Sequence, residues 1–181
     1  METRSLFRRL MLILIALTGC GEYEKSAWTE DPINYEKNSL SFNYPRNWKV
    51  TEDEQYEEYR LIYVETPGET MVVIQVYPDS VTLDMQEYAR EFSRETNENT
   101  TTAKFSESNF SSVVKKNRSE SLKERFSVKF LGVSVQFTRH YKCKNINGHP
   151  CVFIFHVPDE DHSMVESGFK QIVSTFDYDA L

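Results

Sequence analysis

The chain has 181 residues, 39% of them hydrophobic, and a formal net charge of −7. That is enough for one domain with a real core and too little for two comfortable ones. An acidic balance without clustered Lys and Arg disfavours nucleic-acid binding by phosphate neutralisation, and electrostatic adhesion to anionic lipid as well.

Three arginines, Arg4, Arg8 and Arg9, precede eight consecutive apolar residues, 10–17. A positive start, a short apolar run and small residues behind it are the layout of an export signal. Eight residues make a helix about 12 Å long, too short to span a bilayer core of about 30 Å. Leu17-Thr18-Gly19-Cys20 resembles the bacterial lipobox. The resemblance implies a signal peptide over 1–19, cleavage before Cys20, and fatty acyl chains on Cys20, the new amino terminus. Two or more chains anchor stably where one is marginal. Gly21, in place of Asp, implies the outer membrane in a host that has two. The signal takes three basic residues and one acidic residue, so the mature chain keeps 18 against 27, a net charge of −9.

Residues 20–38 are polar with no sustained apolar period, and are expected to form a lipidated, flexible tether; Trp28 reads as a loose or interfacial aromatic. From 39 to 181 a single α+β domain is expected. Leu40, Phe42 and Tyr44 alternate, Pro45-Arg46-Asn47 turns, and Trp48 and Val50 resume, which predicts a strand pair or a sharply bent strand. Glu52-Asp53-Glu54 with Glu57-Glu58 reads as a solvated loop. Two runs apolar on both faces, 60–65 and 70–77, flank Thr66-Pro67-Gly68-Glu69, a hairpin in a sheet covered on both sides.

Met85, Tyr88, Ala89 and Phe92 fall on one helical face, predicting a helix over about 82–95 with Thr82 as cap. Residues 109–117 suggest a weak edge strand with lysines. Phe126, Val128 and Phe130 alternate on even numbers, and Val133, Val135 and Phe137 on odd ones. Gly132 therefore marks a bulge or tight turn. A long strand then runs to Cys143, turns, and returns over 151–157. Val165, Phe169, Ile172, Val173 and Phe176 predict a closing helix, with Ser163 and Glu166 spaced as a capping box.

Cys143 and Cys151 flank the turn, and in an exported protein they point to a disulfide. A two-residue turn at Asn147-Gly148 sets Cys151 opposite Lys144; a three-residue loop, 146–148, sets Cys143 opposite Cys151. The second register is preferred, because it gathers Val135, Phe137 and Tyr141 with Phe153, Phe155 and Val157. His140, His149, His156 and His162 lie close by in sequence, yet no familiar metal-ligand spacing exists. Pro158-Asp159-Glu160-Asp161 lacks the pattern of a calcium loop. Five isolated glycines beyond the signal build no phosphate loop, and neither a nucleophile elbow nor a zincin motif occurs. No catalytic residue, metal or cofactor is assigned.

The segment SLSFNYPRNWKVTED, the long hairpin from Gly132 to Val157, and the closing SGFKQIVSTFDY resemble the PsbP-like superfamily. Its fold is shared by an import factor for the GTPase Ran, and DcrB-like bacterial lipoproteins belong to it. The resemblance implies an antiparallel sheet with helices on its faces, an α/β/α sandwich, and binding or assembly roles without catalysis. The expected function is that of a membrane-anchored envelope lipoprotein with a protein partner. The alternatives are a small-ligand or metal carrier using a sheet–helix pocket or the Cys/His hairpin, and an unrecognised hydrolase.

Overall fold

The computed structural model describes residues 25–100, 103–116 and 119–179. The export signal, Cys20 and residues 21–24 lie outside the described residues. In chain order the elements are β1 (Ile33–Lys37), β2 (Leu40–Tyr44), β3 (Lys49–Gln55), β4 (Arg60–Glu65), β5 (Met71–Val76), α1 (Met85–Asn99), β6 (Lys104–Phe105), β7 (Asn109–Phe110), β8 (Val114–Lys116), β9 (Ser119–Phe130), β10 (Val133–Ile146), β11 (His149–Pro158), α2 (His162–Thr175) and β12 (Asp177–Tyr178). No helix among the described residues is long and apolar enough to cross a membrane.

The larger sheet is antiparallel and runs β3-β4-β5-β11-β10-β9, with the short β6, β7 and β8 paired in turn along the outer side of β9. Its central strands are apolar on both faces because both faces are covered. On one side Ile62, Val64, Ile74, Phe153 and Phe155 pack under α2 and under Leu40, Phe42 and Tyr44 of the small sheet β1-β2-β12. On the other, Leu61, Val73, Val152 and Ile154 meet Met85, Ala89 and Phe92 of α1. Each such side chain, fully buried, contributes about 1.5–3 kcal/mol.

The two ends of the resemblance meet in space. A Cβ on Gly168 of α2 would stand 2.5 Å from Trp48 and 2.8 Å from Pro45. The Pro-x-x-Trp segment and the closing helix therefore touch through a position that only glycine fits. Residues 40–50 form no strand pair, however: β2 belongs to the small sheet and β3 to the large one. The turn at 45–47 carries the chain from one layer to the other.

Several expectations need correction. The stretch read as a flexible tether is bound to the domain from residue 25 on. Lys25 Nζ lies 3.0 Å from Asp161, Ala27 N donates to Met164 O at 2.9 Å, and Gln171 Nε2 donates to Thr29 O. β1 then pairs with β2. These are main-chain and ionic attachments, which leave no apolar period in the sequence. Trp28 is half exposed.

The acidic run at 52–54 is strand, not solvated loop. Asp53 accepts from Arg60 Nε and Nη2, each at 2.8 Å, and from Tyr35 Oη, with Lys37 Nζ at 3.2 Å. Burial alone would raise this carboxyl, yet those donors hold it at about 2.

Helix α1 starts later than expected, capped by Asp84, whose Oδ1 accepts from Gln86 N and Glu87 N. In α2 the N-cap is Asp161, without a side-chain cap bond, because its carboxylate is engaged by Lys25. Ser163 lies inside the first turn and forms no capping box.

The weak edge at 109–117 is two short strands, β7 and β8. Gly132 does sit in a tight turn: Leu131 and Gly132 take φ of 48° and 88°, and Asn147 and Gly148 take 50° and 93°. Positive φ at both central residues is what a two-residue hairpin turn requires.

Candidate functional site

That second turn decides the fate of the cysteines. With only Asn147 and Gly148 in the loop, Cys143 stands opposite Val152 and Cys151 opposite Lys144. Residues directly opposite share a face and neighbours along a strand do not. Cys151 therefore lies in the core beneath α2, and Cys143 packs against the α1 side. Both thiols are free, and the expected disulfide does not form. Burial pushes the Cys143 thiol up to about 11 and the Cys151 thiol to about 12, so neither is an activated nucleophile. Thiol titration of the chain extracted without reductant should return both as free in denaturant, with Cys151 unreactive before unfolding. A missing pair would show the opposite register.

The histidines disperse as well. His149 meets the Tyr178 ring, His156 packs against Phe137, and only His140 and His162 come together, with ring centroids 4.8 Å apart. No group of three or more His, Cys, Asp or Glu could hold a metal ion among the described residues.

What the fold does assemble is a groove of about 800 Å³ between α2 and the strands β9 and β10. Helix α2 covers β11 and its neighbours towards β4, leaving the next strands outward uncovered on that face. In β10, His140, Lys142 and Lys144 alternate onto it, and Lys123 of β9 stands opposite His140. The floor is Phe155, Phe169 and Val173; the helix adds His162, Glu166 and Lys170. The lining thus carries four lysines and two histidines against a single carboxylate, in a chain whose net charge is −7. Lys170 pairs with Glu166 at 2.9 Å and Lys144 Nζ donates to Val173 O at 3.1 Å. Lys123 and Lys142 remain unpaired among the described residues.

Burial, together with the charges of His162 and Lys123, lowers the His140 imidazole to about 4. It is neutral at pH 7, and its Nε2 has no hydrogen-bond partner among the described residues. Cationic walls over an apolar floor suit an anion that carries apolar surface. Glu166, the single carboxylate of the lining, is exposed and tied to Lys170.

Sequence reasoning missed a second feature, a polar network buried between β9, β10 and α1. Glu124 and Arg139 are both fully buried, with Arg139 Nη1 donating to Glu124 Oε2 at 3.2 Å. The same carboxylate accepts from Tyr141 Oη at 2.6 Å and from the Ser93 and Ser108 hydroxyls at 2.5 Å. Arg139 Nε donates to His156 Nδ1 at 3.1 Å, and its guanidinium lies 4.4 Å from the Phe126 ring centroid. Both oxygens of Glu124 are satisfied, whereas the buried Arg139 Nη2 has no hydrogen-bond partner among the described residues; the network ties the strands to the helix.

No protein-family model matches the chain, and no curated protein matches it by sequence. Solved structures do. Cyanobacterial PsbP (CyanoP) from Synechocystis aligns with a TM-score of 0.53 at 12% identity, over 90% of this chain and 99% of that one. The Ran-binding protein Mog1p of Saccharomyces cerevisiae aligns at 0.48 and 9% identity, over 82% of this chain and 95% of that one. LpqN of Mycobacterium tuberculosis, involved in cell envelope biogenesis, aligns at 0.39 and 11%, over 81% and 88%. The first likeness establishes a shared fold and no shared activity; the other two are too distant to carry an argument. The chain is a single α+β domain with a PsbP-like fold.

Proposed function

We propose that this protein is a lipid-anchored, non-catalytic binding module of a bacterial cell envelope, and that it holds an acidic segment of a partner protein in the groove beside α2. The observation that carries this reading is the concentration of Lys123, Lys142, Lys144 and Lys170 over an apolar floor in an otherwise acidic chain. Charge complementarity of this kind steers encounter and selects partners. The lipobox ending at Cys20 supports the anchor, with the domain facing the periplasm or the exterior. The PsbP-like fold and the inert thiols support a role without catalysis. A second reading, a carrier of a small anionic ligand, is favoured by the groove volume, which falls within the range of ligand pockets.

Lys123→Glu combined with Lys142→Glu is expected to abolish recovery of a partner from crosslinked envelopes without changing the fold. Unchanged capture, or repeated failure of the wild type to capture any partner, overturns the protein-binding reading. Cys20→Ser should block processing and release the chain from membranes; a variant that is still processed and still sediments removes the anchor.

A further inference from the structure

The hairpin of β9 and β10 outreaches β11, with only the short β6 accompanying β9 as far as Lys129. Strand β11 ends at Pro158, opposite Phe137, while β10 begins at Val133 and turns through Leu131 and Gly132. At about 3.3 Å per residue the tip projects on the order of 15 Å beyond the end of β11. Its two faces differ. Val128 pairs with Val135, Phe130 with Val133, and Phe105 covers Val128, continuing the apolar row of Phe126 and Phe137 out to the tip. The opposite face carries Ser127, Lys129, Ser134 and Gln136. Leu131 is 80% exposed and Val133 66%, the two most exposed large hydrophobic side chains among the described residues.

A scattered exposed apolar residue needs no explanation; this tip has a further peculiarity. Leu131 sits at φ 48°, in a turn position that Asn occupies in the otherwise equivalent turn at Asn147. A side chain with a Cβ is strained there, and Asn, Asp or Gly is the usual choice. The chain thus holds a large apolar residue, against backbone preference, at its most projecting point.

The amino end of the domain lies at this same end of the sheet. Asp159 N donates to Gln136 O, Asp161 binds Lys25, and a Cβ on Gly68 would lie 3.5 Å from Lys25 Cε. From Lys25 back to Cys20 the chain can reach at most about 17 Å, comparable to the projection of the tip. Just behind the point of the tip Lys104 pairs with Lys129, two cations at the depth where headgroup phosphates would lie.

Resting on the lipidation of Cys20 proposed above, we infer that the β9–β10 tip inserts Leu131, Val133 and Phe130 into the lipid surface beside the anchor. The acyl chains hold the protein at the membrane and the tip fixes its orientation, leaving the groove to one side.

The test uses the full mature chain in vesicles of phosphatidylethanolamine and phosphatidylglycerol. A spin label is placed by Leu131→Cys or, at the far end of the hairpin, by Asn147→Cys, with the unmodified chain correcting for background labelling. Collision with oxygen relative to a water-soluble nickel chelate should be several-fold higher at 131 than at 147. Val133→Asp in the 131-labelled chain should bring the ratio down to that at 147. Equal chelate access at both positions overturns the insertion, as does dipolar coupling between 131 labels that places a second copy on the tip. The mass of the mature chain separates the premises. Lipid on Cys20 with a water-exposed tip sinks only the insertion, whereas an unlipidated Cys20 sinks both.

Discussion

Replacing Glu124 with alanine is expected to destabilise the domain by about 3–5 kcal/mol, read as a fall in the urea midpoint at unchanged slope. The carboxylate is the only anion paired with Arg139 among the described residues, and both side chains are fully buried. Its loss leaves a guanidinium unpaired and takes the acceptor from the hydroxyls of Tyr141, Ser93 and Ser108. Domains of this size are stable by about 5–15 kcal/mol in all, so a loss of this magnitude threatens folding at ordinary temperatures. The pair itself is a different matter. Glu124→Leu with Arg139→Met, which removes both charges and keeps the volume, should recover the part of the loss due to the unpaired guanidinium, while the hydroxyls of Tyr141, Ser93 and Ser108 stay without their acceptor. A single variant that costs under about 1 kcal/mol would show that water reaches Arg139.

Acid should weaken the fold well above the range where carboxylates titrate. His156 is half-buried, and its Nδ1 accepts from Arg139 Nε; desolvation and then that charge hold its imidazole well below the usual value. His140, half-buried beside His162 and Lys123 with Glu166 and Asp159 opposing, titrates at about 4. In the unfolded chain both sit near 6.5. The unfolded state therefore binds more protons below that pH, and stability falls as pH drops from about 6.5 towards 4, after being fully present above it. The slope approaches about 1.4 kcal/mol per pH unit for His156, and is smaller for the partly solvated His140. Asp53, held at about 2, acts in the same sense in a separate window below about 4. Urea midpoints at pH 7.5, 6, 5 and 4 test this. A flat profile down to pH 5 would mean that both imidazoles gain a proton without opening the structure.

The hairpin β4–β5 and helix α2 were legible because their apolar residues repeat at the period of the element and their turns carry Pro, Gly or Asn. The strand register around the cysteines was not. β11 is apolar on both faces, Phe153 and Phe155 towards α2 and Val152 and Ile154 towards α1, so burial does not choose between registers. The Asn147-Gly148 dipeptide was the better guide. The groove was invisible for another reason: Lys123, Lys142 and Lys144 come from two strands and Lys170 from a helix, and only the fold collects them. The ion pair did leave a trace. Glu124 interrupts the inward row Leu122-Phe126, and Arg139 interrupts Phe137-Tyr141; a charge at an inward position of an alternating strand signals a buried partner. The bound segment 25–38 left none, since it is held by main chain, by Lys25 and Lys37, and by the isolated apolar contacts of Ala27 and Tyr35.

The small sheet settles where the chain leaves the domain. β12 pairs with β2 at Leu40, Asn147 Nδ2 donates to Tyr178 O, and the His149 ring meets that of Tyr178. Tyr178 thus lies beside the Asn147-Gly148 turn, while Lys25 lies at the opposite end of the sheet; the stretch of β10 between the two, Phe137 to Ile146, measures about 33 Å. The molecule is built as a mast with its base and masthead at opposite tips. A reporter or affinity handle spliced on behind Asp179 would fly clear of whatever surface holds the base, and would leave both the groove and the foot of the mast unobstructed.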